Sequence, residues 1–353
     1  MDQKIKVLIV EDTITGQKLL KGLLTEDSRF EIVGIANNGK QAVEFVALYH
    51  PDVVSMDIFM PVMDGLEATR LIMQQTPVPI VIVSSFFNPS EMNLSFSILK
   101  AGALTILQKP FGPRHPKFLQ SARHYQNVLI MMSGVKVKTQ QVVLPKKSAL
   151  SSKNTANNTL KNIIPGRFKI IAIGASSGGP SGIQTILSGL PSNIQIPLVI
   201  VQHIDANFVE GFCDWLKLTS NLPIIIAQDG MIMKPGHVYL PPPDSHLGFA
   251  KEGIISISKS PPERGIRPAV SFLFRNVAAI YGKNAVCVLL SGMGADGANE
   301  MKMLFDMGAY TIAQDEKSSL VHGMPGQAIN LGGACKILSP EAIVKEIIKL
   351  TTL

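Results

Sequence analysis

Two stretches of this 353-residue chain each alternate short β-like apolar runs with segments of helical spacing, and that alternation restricts each stretch to a layered α/β fold. In residues 1–125 the runs lie at 4–10, 30–35, 52–56, 79–83 and 104–107, which predicts a doubly wound parallel sheet. In residues 166–353 they lie at 169–173, 197–201, 221–226, 285–289, 310–313 and 336–338. These predict a second doubly wound α/β domain, interrupted by an inserted hairpin over 237–240 and 246–257. Between the two, residues 126–165 lose the pattern and become rich in Lys, Ser, Asn and Thr, the composition of a linker.

Charge follows the same division. The net charge is +7, and residues 126–165 carry six basic and no acidic side chains, so nearly all of the excess sits in the tether. No compact basic face with interleaved aromatics points to nucleic acid. Cys213, Cys287 and Cys335 form no C-x-x-C pair, and the seven histidines form no H-x-x-x-H pattern, so neither a disulfide framework nor a transition-metal site is expected. No apolar stretch reaches bilayer-spanning length, and Met1-Asp2-Gln3-Lys4 lacks a signal peptide's layout. The expectation is a cytoplasmic protein without membrane insertion.

Doubly wound sheets bind ligands beyond the carboxyl ends of their strands. In the first stretch Glu11, Asp12, Asp57, Ser84 and Lys109 stand at those ends. Three carboxylates converging there would repel one another unless a hard cation sat among them, which points to Mg2+ with oxygen ligands. A lysine and a hydroxyl opposite suit an incoming phosphoryl group. Taken singly, a strand-end aspartate is ordinarily a helix cap and a lysine before proline is ordinarily solvated; five agreeing positions weigh against that reading. The pieces IVED at 9–12, MDIFMPVMDG at 56–65, VSS at 83–85 and KPF at 109–111 make this half resemble the receiver domain of two-component response regulators, a flavodoxin-like fold. The resemblance implies that Asp57 accepts a phosphoryl group from a histidine kinase. It also implies that Glu11, Asp12, Asp57 and the carbonyl of Phe59 hold the metal, that Ser84 and Lys109 contact the phosphoryl oxygens, and that Pro110 is cis. Ile106 stands where many receivers carry an aromatic switch residue, and Glu11 stands where an aspartate is more usual.

In the second stretch Gly174-Ala175-Ser176-Ser177-Gly178-Gly179 follows the first apolar run, a G-x-S-x-G turn that presents a serine hydroxyl between strand and helix. His203 follows the run ending at 202, and Asp296 lies in LLSGMGADG at 289–297. A serine hydroxyl needs a base to attack, an imidazole supplies one near neutral pH, and a carboxylate on its far nitrogen fixes the tautomer. Ser176, His203 and Asp296 are therefore the candidate catalytic residues. The chain order Ser, His, Asp is not that of α/β-hydrolases. Ser177 is an alternative nucleophile, a helping hydroxyl or an N-cap, and the Gly292-Met293-Gly294 turn offers the N–H groups of Met293 and Gly294 to an oxyanion. The competing readings are a strand-capping His203, an Asp296 that caps the helix after it, and an ordinary glycine turn.

Further pieces include KPGHVYLPP at 234–242, RPAVSFLFRNVA at 267–278 and AQDEKSSLVHGMP at 313–325. With IGASSGG at 173–179, QH at 202–203, SGMGADG at 291–297 and AI at 328–329, they make residues 168–350 resemble the catalytic domain of the chemotaxis-specific protein-glutamate methylesterase, Rossmann-like and joined to a receiver through a linker. The resemblance implies hydrolysis of γ-glutamyl methyl esters on chemoreceptors, in some members deamidation of receptor glutamines, and activation by phosphorylation, with no cofactor in the catalytic domain. Ile266, Ser271 and Gly326-Gln327 depart from the family pattern, which usually has a histidine, an aspartate and a charged residue there, and bear on substrate recognition. Two other classes compete: a non-catalytic, phosphorylation-dependent regulator that binds receptors or competes for phosphoryl groups, and a nucleotide-binding oxidoreductase, against which the absence of G-x-G-x-x-G counts.

Overall fold

A computed structural model describes residues 3–85, 89–137 and 167–351, without the side chains of 89–93 and 95. The tether expected over 126–165 lies outside the described residues from 138 onward.

The first half alternates strictly: β1 Ile5–Val10, α1 Ile14–Thr25, β2 Phe30–Ala36, α2 Gly39–Tyr49, β3 Val53–Met56, α3 Gly65–Gln75, β4 Ile80–Ser84, α4 Pro89–Ala101, β5 Thr105–Gln108 and α5 Phe118–Ser133. The strands form one parallel sheet in the order β2-β1-β3-β4-β5. Helices cover both faces, so the four residues of β3 are all buried and read as a continuous apolar run rather than an alternation. Asn38 and Asp64 cap α2 and α3 by accepting from the N–H groups of Gln41 and Glu67. Helix α5 continues past position 125 to Ser133, because Val128, Leu129 and Met132 keep the apolar face going; a cut at 125 would fall inside a helix.

The second half contains β6 Ile170–Ala175, α6 Gly179–Gly189, β7 Leu198–Gln202, α7 Val209–Lys217, β8 Ile224–Ile226, β9 Val238–Leu240, β10 His246–Lys251, β11 Ile254–Ser258, α8 Val270–Ile280, β12 Ala285–Leu289, α9 Ala298–Asp306, β13 Tyr310–Gln314, α10 Met324–Asn330, β14 Lys336–Leu338 and α11 Pro340–Thr351. Its seven-stranded sheet runs β14-β13-β12-β6-β7-β9-β8, parallel throughout. One expectation needs correcting. Residues 238–240 are not a hairpin arm but β9, a sheet strand buried between β7 and β8; the hairpin is β10–β11, both arms of which come from the run at 246–257. Gly253, at φ 78°, makes the turn between those arms, and a three-residue apolar run such as 238–240 carries no periodicity that would tell the two settings apart.

The halves pack on each other through α4, α6 and α7. Phe96 of α4 is fully buried, its ring 5.2 Å from Trp215 and 5.4 Å from Phe212. At the end of α5, Met132 and Val135 join Met293, Leu320 and Val321 in one apolar cluster. Among the described residues no helix is long and apolar enough to cross a membrane.

Candidate functional site

Two polar sites stand at the carboxyl ends of the two sheets. In the first, β1 and β3 pair with Val10 opposite Met56, so the residues that follow these strands emerge side by side. Glu11 is fully buried; its Oε1 accepts from the N–H of Thr13 at 3.3 Å and from the Thr13 hydroxyl, which in turn accepts from the N–H of Gly16 at 3.2 Å and caps α1. Asp57 accepts from the N–H of Ile58 at 2.6 Å through Oδ1, and its Oδ2 lies 2.7 Å from Lys109 Nζ. Lys109 Nζ also lies 2.6 Å from Glu11 Oε2, as an ion pair without hydrogen-bond geometry.

Burial pushes the Asp57 carboxyl up; Lys109 opposes this and the charge of Glu11 adds to it, leaving a net rise. For Lys109, burial favours the neutral amine, yet Asp57 and then Glu11 outweigh it and hold the side chain as an ammonium. Ligand oxygens of Glu11, Asp12 and Asp57 lie within 4.8 Å of one another, three negative charges against one lysine. The donor set is all oxygen, Asp12 is exposed, and the three carboxylates have a single lysine to balance them, so the residues fit a hard divalent cation. Ser84 is buried at the end of β4, with its carbonyl accepting from the N–H of Lys109 at 2.7 Å; Phe59 stands two residues beyond Asp57 with an exposed ring, and Ile106 is buried in β5. Arg267–Pro268 is the one cis bond among the described residues, so the Lys109–Pro110 bond, expected cis, is trans. The isomers of an X–Pro bond differ by only about 0.5–1 kcal/mol, too little for the dipeptide to decide.

In the second site β6 and β7 pair with Ala175 opposite Gln202, which sets Ser176 and His203 at neighbouring strand exits. Gln202 Nε2 donates to the carbonyls of Ser176 and of His203, at 2.9 Å each, and ties the two exits together. The turn after Ser176 needs Gly178 at φ 76°, and Gly179 leaves room beneath, since a Cβ there would come 2.6 Å from Gln202 Oε1. Gly292 is similarly confined, since its Cβ would stand 2.8 Å from that of Ser176.

His203 Nε2 is 2.8 Å from Asp296 Oδ2. Asp296 also accepts from the N–H of Val270 at 2.7 Å, and from both the N–H of Ser271, at 3.0 Å, and its hydroxyl. Those N–H groups open α8, so Asp296 caps a helix distant in sequence; α9, the helix that follows it, begins from Gly297 without a side-chain cap. Burial alone would raise the Asp296 carboxyl, but His203 and then Ser271 overcome it and hold the group well below the usual carboxylate range.

Among the described residues no hydrogen bond joins the Ser176 hydroxyl to His203. With Nε2 committed to Asp296, Nδ1 is the ring nitrogen left for it. Ser177 is not the cap of α6, a place Gly178 takes; its hydroxyl lies 3.8 Å from Met132 Sδ of α5. The N–H groups of Met293 and Gly294 donate to no other described residue, while the Met293 side chain packs with the end of α5.

A family match described as CheB methylesterase spans residues 171–347, and one described as response regulator receiver domain spans 7–117. This chain belongs to the CheB methylesterase family. It is 45% identical over 347 residues to a protein-glutamate methylesterase/protein-glutamine glutaminase of Geobacter metallireducens, covering 98% of this chain and 99% of that one. A protein of the same name from Nitrosospira multiformis is 42% identical over 346 residues, covering 98% and 97%. The crystal structure of the Thermotoga maritima CheB methylesterase catalytic domain matches 52% of this chain and 98% of its own, at 37% identity and a TM-score of 0.50. The chain is thus a hydrolase carrying a receiver domain.

Several residues that shape this methylesterase's sites carried no sequence signal of a role. Thr13 and Gly16 shape the seat of Glu11, where a Cβ on Gly16 would overlap the carboxylate. Gln202 and Ser291 stood within the pieces QH and SGMGADG without a role of their own, and Ser291, fully buried, accepts from the N–H of Val321 and donates to the carbonyl of Ser177 at 2.8 Å. Ser271 was marked by its departure from the family pattern as bearing on substrate recognition; its hydroxyl stands on Asp296.

Proposed function

We propose that this chain hydrolyses γ-glutamyl methyl esters on chemotaxis receptors, and deamidates receptor glutamines, under control of phosphorylation at Asp57. The Ser176 hydroxyl attacks the ester carbonyl while His203 Nδ1 takes its proton, with Asp296 holding the opposite nitrogen. The N–H groups of Met293 and Gly294, with Ser177 beside them, face the developing oxyanion. Collapse breaks the C–O bond to methoxide, which leaves as methanol with the proton from His203. Water then attacks the acyl-serine through the same base, releasing the glutamate carboxylate and restoring Ser176. For a glutamine the leaving group is ammonia. General acid–base assistance by His203 contributes on the order of 10²–10⁴-fold. The observation that carries this reading is the His203–Asp296 contact of 2.8 Å, placed at the strand exit beside Ser176.

In the receiver, Asp57 accepts the phosphoryl group of a chemotaxis histidine kinase, forming a P–O bond as the P–N bond to the kinase histidine breaks. Glu11, Asp12, Asp57 and the Phe59 carbonyl are the residues to hold Mg2+, which when bound neutralises phosphoryl charge; Ser84 and Lys109 meet the phosphoryl oxygens. The new charge draws Lys109 and Ser84. Gln108, next to Lys109, accepts from Asn207 of the catalytic half at 2.9 Å, and Met132 covers Ser177, so that movement bears on access to Ser176. The functional units follow the expected division into a receiver over 1–125, a linker over 126–165 and a catalytic domain over 166–353, with α5 carrying the receiver on to Ser133 before the linker, in the cytoplasm.

The test is methanol release from receptor membranes methylated in vitro, with wild type and Ser176→Ala, each with and without a small-molecule phosphodonor and Mg2+. The reading requires release that depends on Ser176 and rises with phosphodonor. Release equal to that of Ser176→Ala would refute it.

A further inference from the structure

Asp296 Oδ2 meets both His203 Nε2, at 2.8 Å, and the N–H of Val270, at 2.7 Å, while Oδ1 faces Ser271, so the tilt of the carboxylate plane sets the direction in which Oδ2 meets the imidazole. Ser271 Oγ lies between two carboxylates, donating to Asp296 Oδ1 and standing 3.0 Å from Glu263 Oε2. A hydroxyl has one proton and serves one of them at a time. Glu263 has another partner: its Oε1 is bound by Arg275, whose second amino group lies 3.0 Å from Glu300 Oε1. Among the described residues Asp296 Oδ1 otherwise has only the N–H of Ser271 itself, at 3.0 Å. The network therefore runs from a surface ion-pair cluster through one hydroxyl into the buried carboxylate that holds the catalytic histidine.

We infer that Ser271 is a positioning residue of the hydrolase: its hydroxyl, on Asp296 Oδ1, fixes the tilt of the carboxylate plane and so the line along which the opposite oxygen meets His203 Nε2. The inference rests on the catalytic reading of Ser176, His203 and Asp296 given above. Loss of the hydroxyl leaves the two N–H groups of α8 on Asp296, one on each oxygen, so the carboxylate remains in place but its tilt is held less firmly. The effect falls on turnover, because the histidine must be aligned as the proton moves, and not on substrate binding, because Ser271 lies behind Asp296 as seen from His203.

The experiment is steady-state methanol release by the full-length chain, with Mg2+ and phosphodonor, for wild type, Ser271→Ala, Ser271→Thr, Ser176→Ala and Asp296→Ala. Removing a hydrogen bond to a charged group should lower kcat roughly tenfold in Ser271→Ala with KM within about twofold. Ser271→Thr, which keeps a hydroxyl, should recover most of that loss. A kcat in Ser271→Ala equal to wild type, a change confined to KM, or a threonine variant as slow as the alanine one overturns the inference. If Ser271→Ala does not fold, the threonine variant decides: a wild-type melting temperature with kcat lowered about tenfold despite the retained hydroxyl overturns the inference, and near-wild-type kcat supports it. If Ser176→Ala and Asp296→Ala turn over like wild type, it is the catalytic reading that has failed; if they are inactive while Ser271→Ala is normal, only the positioning role has.

Discussion

Phe96 offers the sharpest test of how the two halves restrain each other. Its ring belongs to the receiver but is fully buried against Trp215 and Phe212 of the catalytic half, stacked on the first at 5.2 Å and tilted against the second at 5.4 Å. Each aromatic contact contributes about 0.5–1.5 kcal/mol beyond the area it buries, and full truncation of a core phenylalanine costs about 3–5 kcal/mol in total. Part of that total belongs to packing within the receiver, so Phe96→Ala should weaken docking of the halves by about 2–3 kcal/mol, a shift of roughly 30- to 150-fold in the docking equilibrium. If docking is what restrains Ser176, basal methanol release without phosphodonor should climb towards the wild-type phosphorylated rate and stop there. Phosphodonor should then add little. The assay is release with and without phosphodonor, alongside a melting curve to show the variant is folded. A folded variant whose basal rate stays at the wild-type level, with normal stimulation, would refute the reasoning.

Asp296→Asn keeps the shape but loses the charge that supports His203, and should reduce kcat by roughly 10³–10⁴-fold. Because the folded carboxyl is held below its unfolded value, its contribution to stability is present above the ordinary carboxylate range near pH 4 and is lost as pH falls through the lower folded value. The stability gap between wild type and this variant should therefore be full at pH 7 and shrink only below about pH 4, as chemical denaturation across pH will report. At Asp57 the sign is opposite, since burial raises its carboxyl and the charged form is the disfavoured one. Asp57→Asn should thus melt higher than wild type in chelator at neutral pH, with Mg2+ raising wild type and narrowing the difference; an asparagine variant that melts lower would contradict this.

Much of both sites was readable in advance. Each functional type stands at the exposed end of an apolar run, and in a parallel doubly wound sheet that position is itself a prediction of convergence: Glu11 and Asp57 leave adjacent strands, as do Ser176 and His203. Asp296 was legible as a candidate and its alternative was plausible, since an aspartate before a helix ordinarily caps that helix. The structure has it capping α8 instead, from 26 residues away in sequence to Val270. What was not readable depends on side chains that meet across long separations. Gln202 bonds Ser176 across a strand pair, and Phe96 finds Trp215 only once the two halves dock. The misplacement of 238–240 has a similar origin, because a three-residue strand takes its sheet from its neighbours.

By itself the sequence determined the two parallel α/β layers and which candidate residues stand at their strand ends, because periodicity and strand-end position are local properties that survive without knowledge of contacts. Tertiary structure alone decided which nitrogen of His203 meets Asp296, which hydroxyl steadies that carboxylate and how the end of α5 comes to lie on Ser177. Those are matters of orientation across long loops. A hydrogen bond is satisfied within a few tenths of an ångström and a narrow range of angles, a precision that only the packed core supplies.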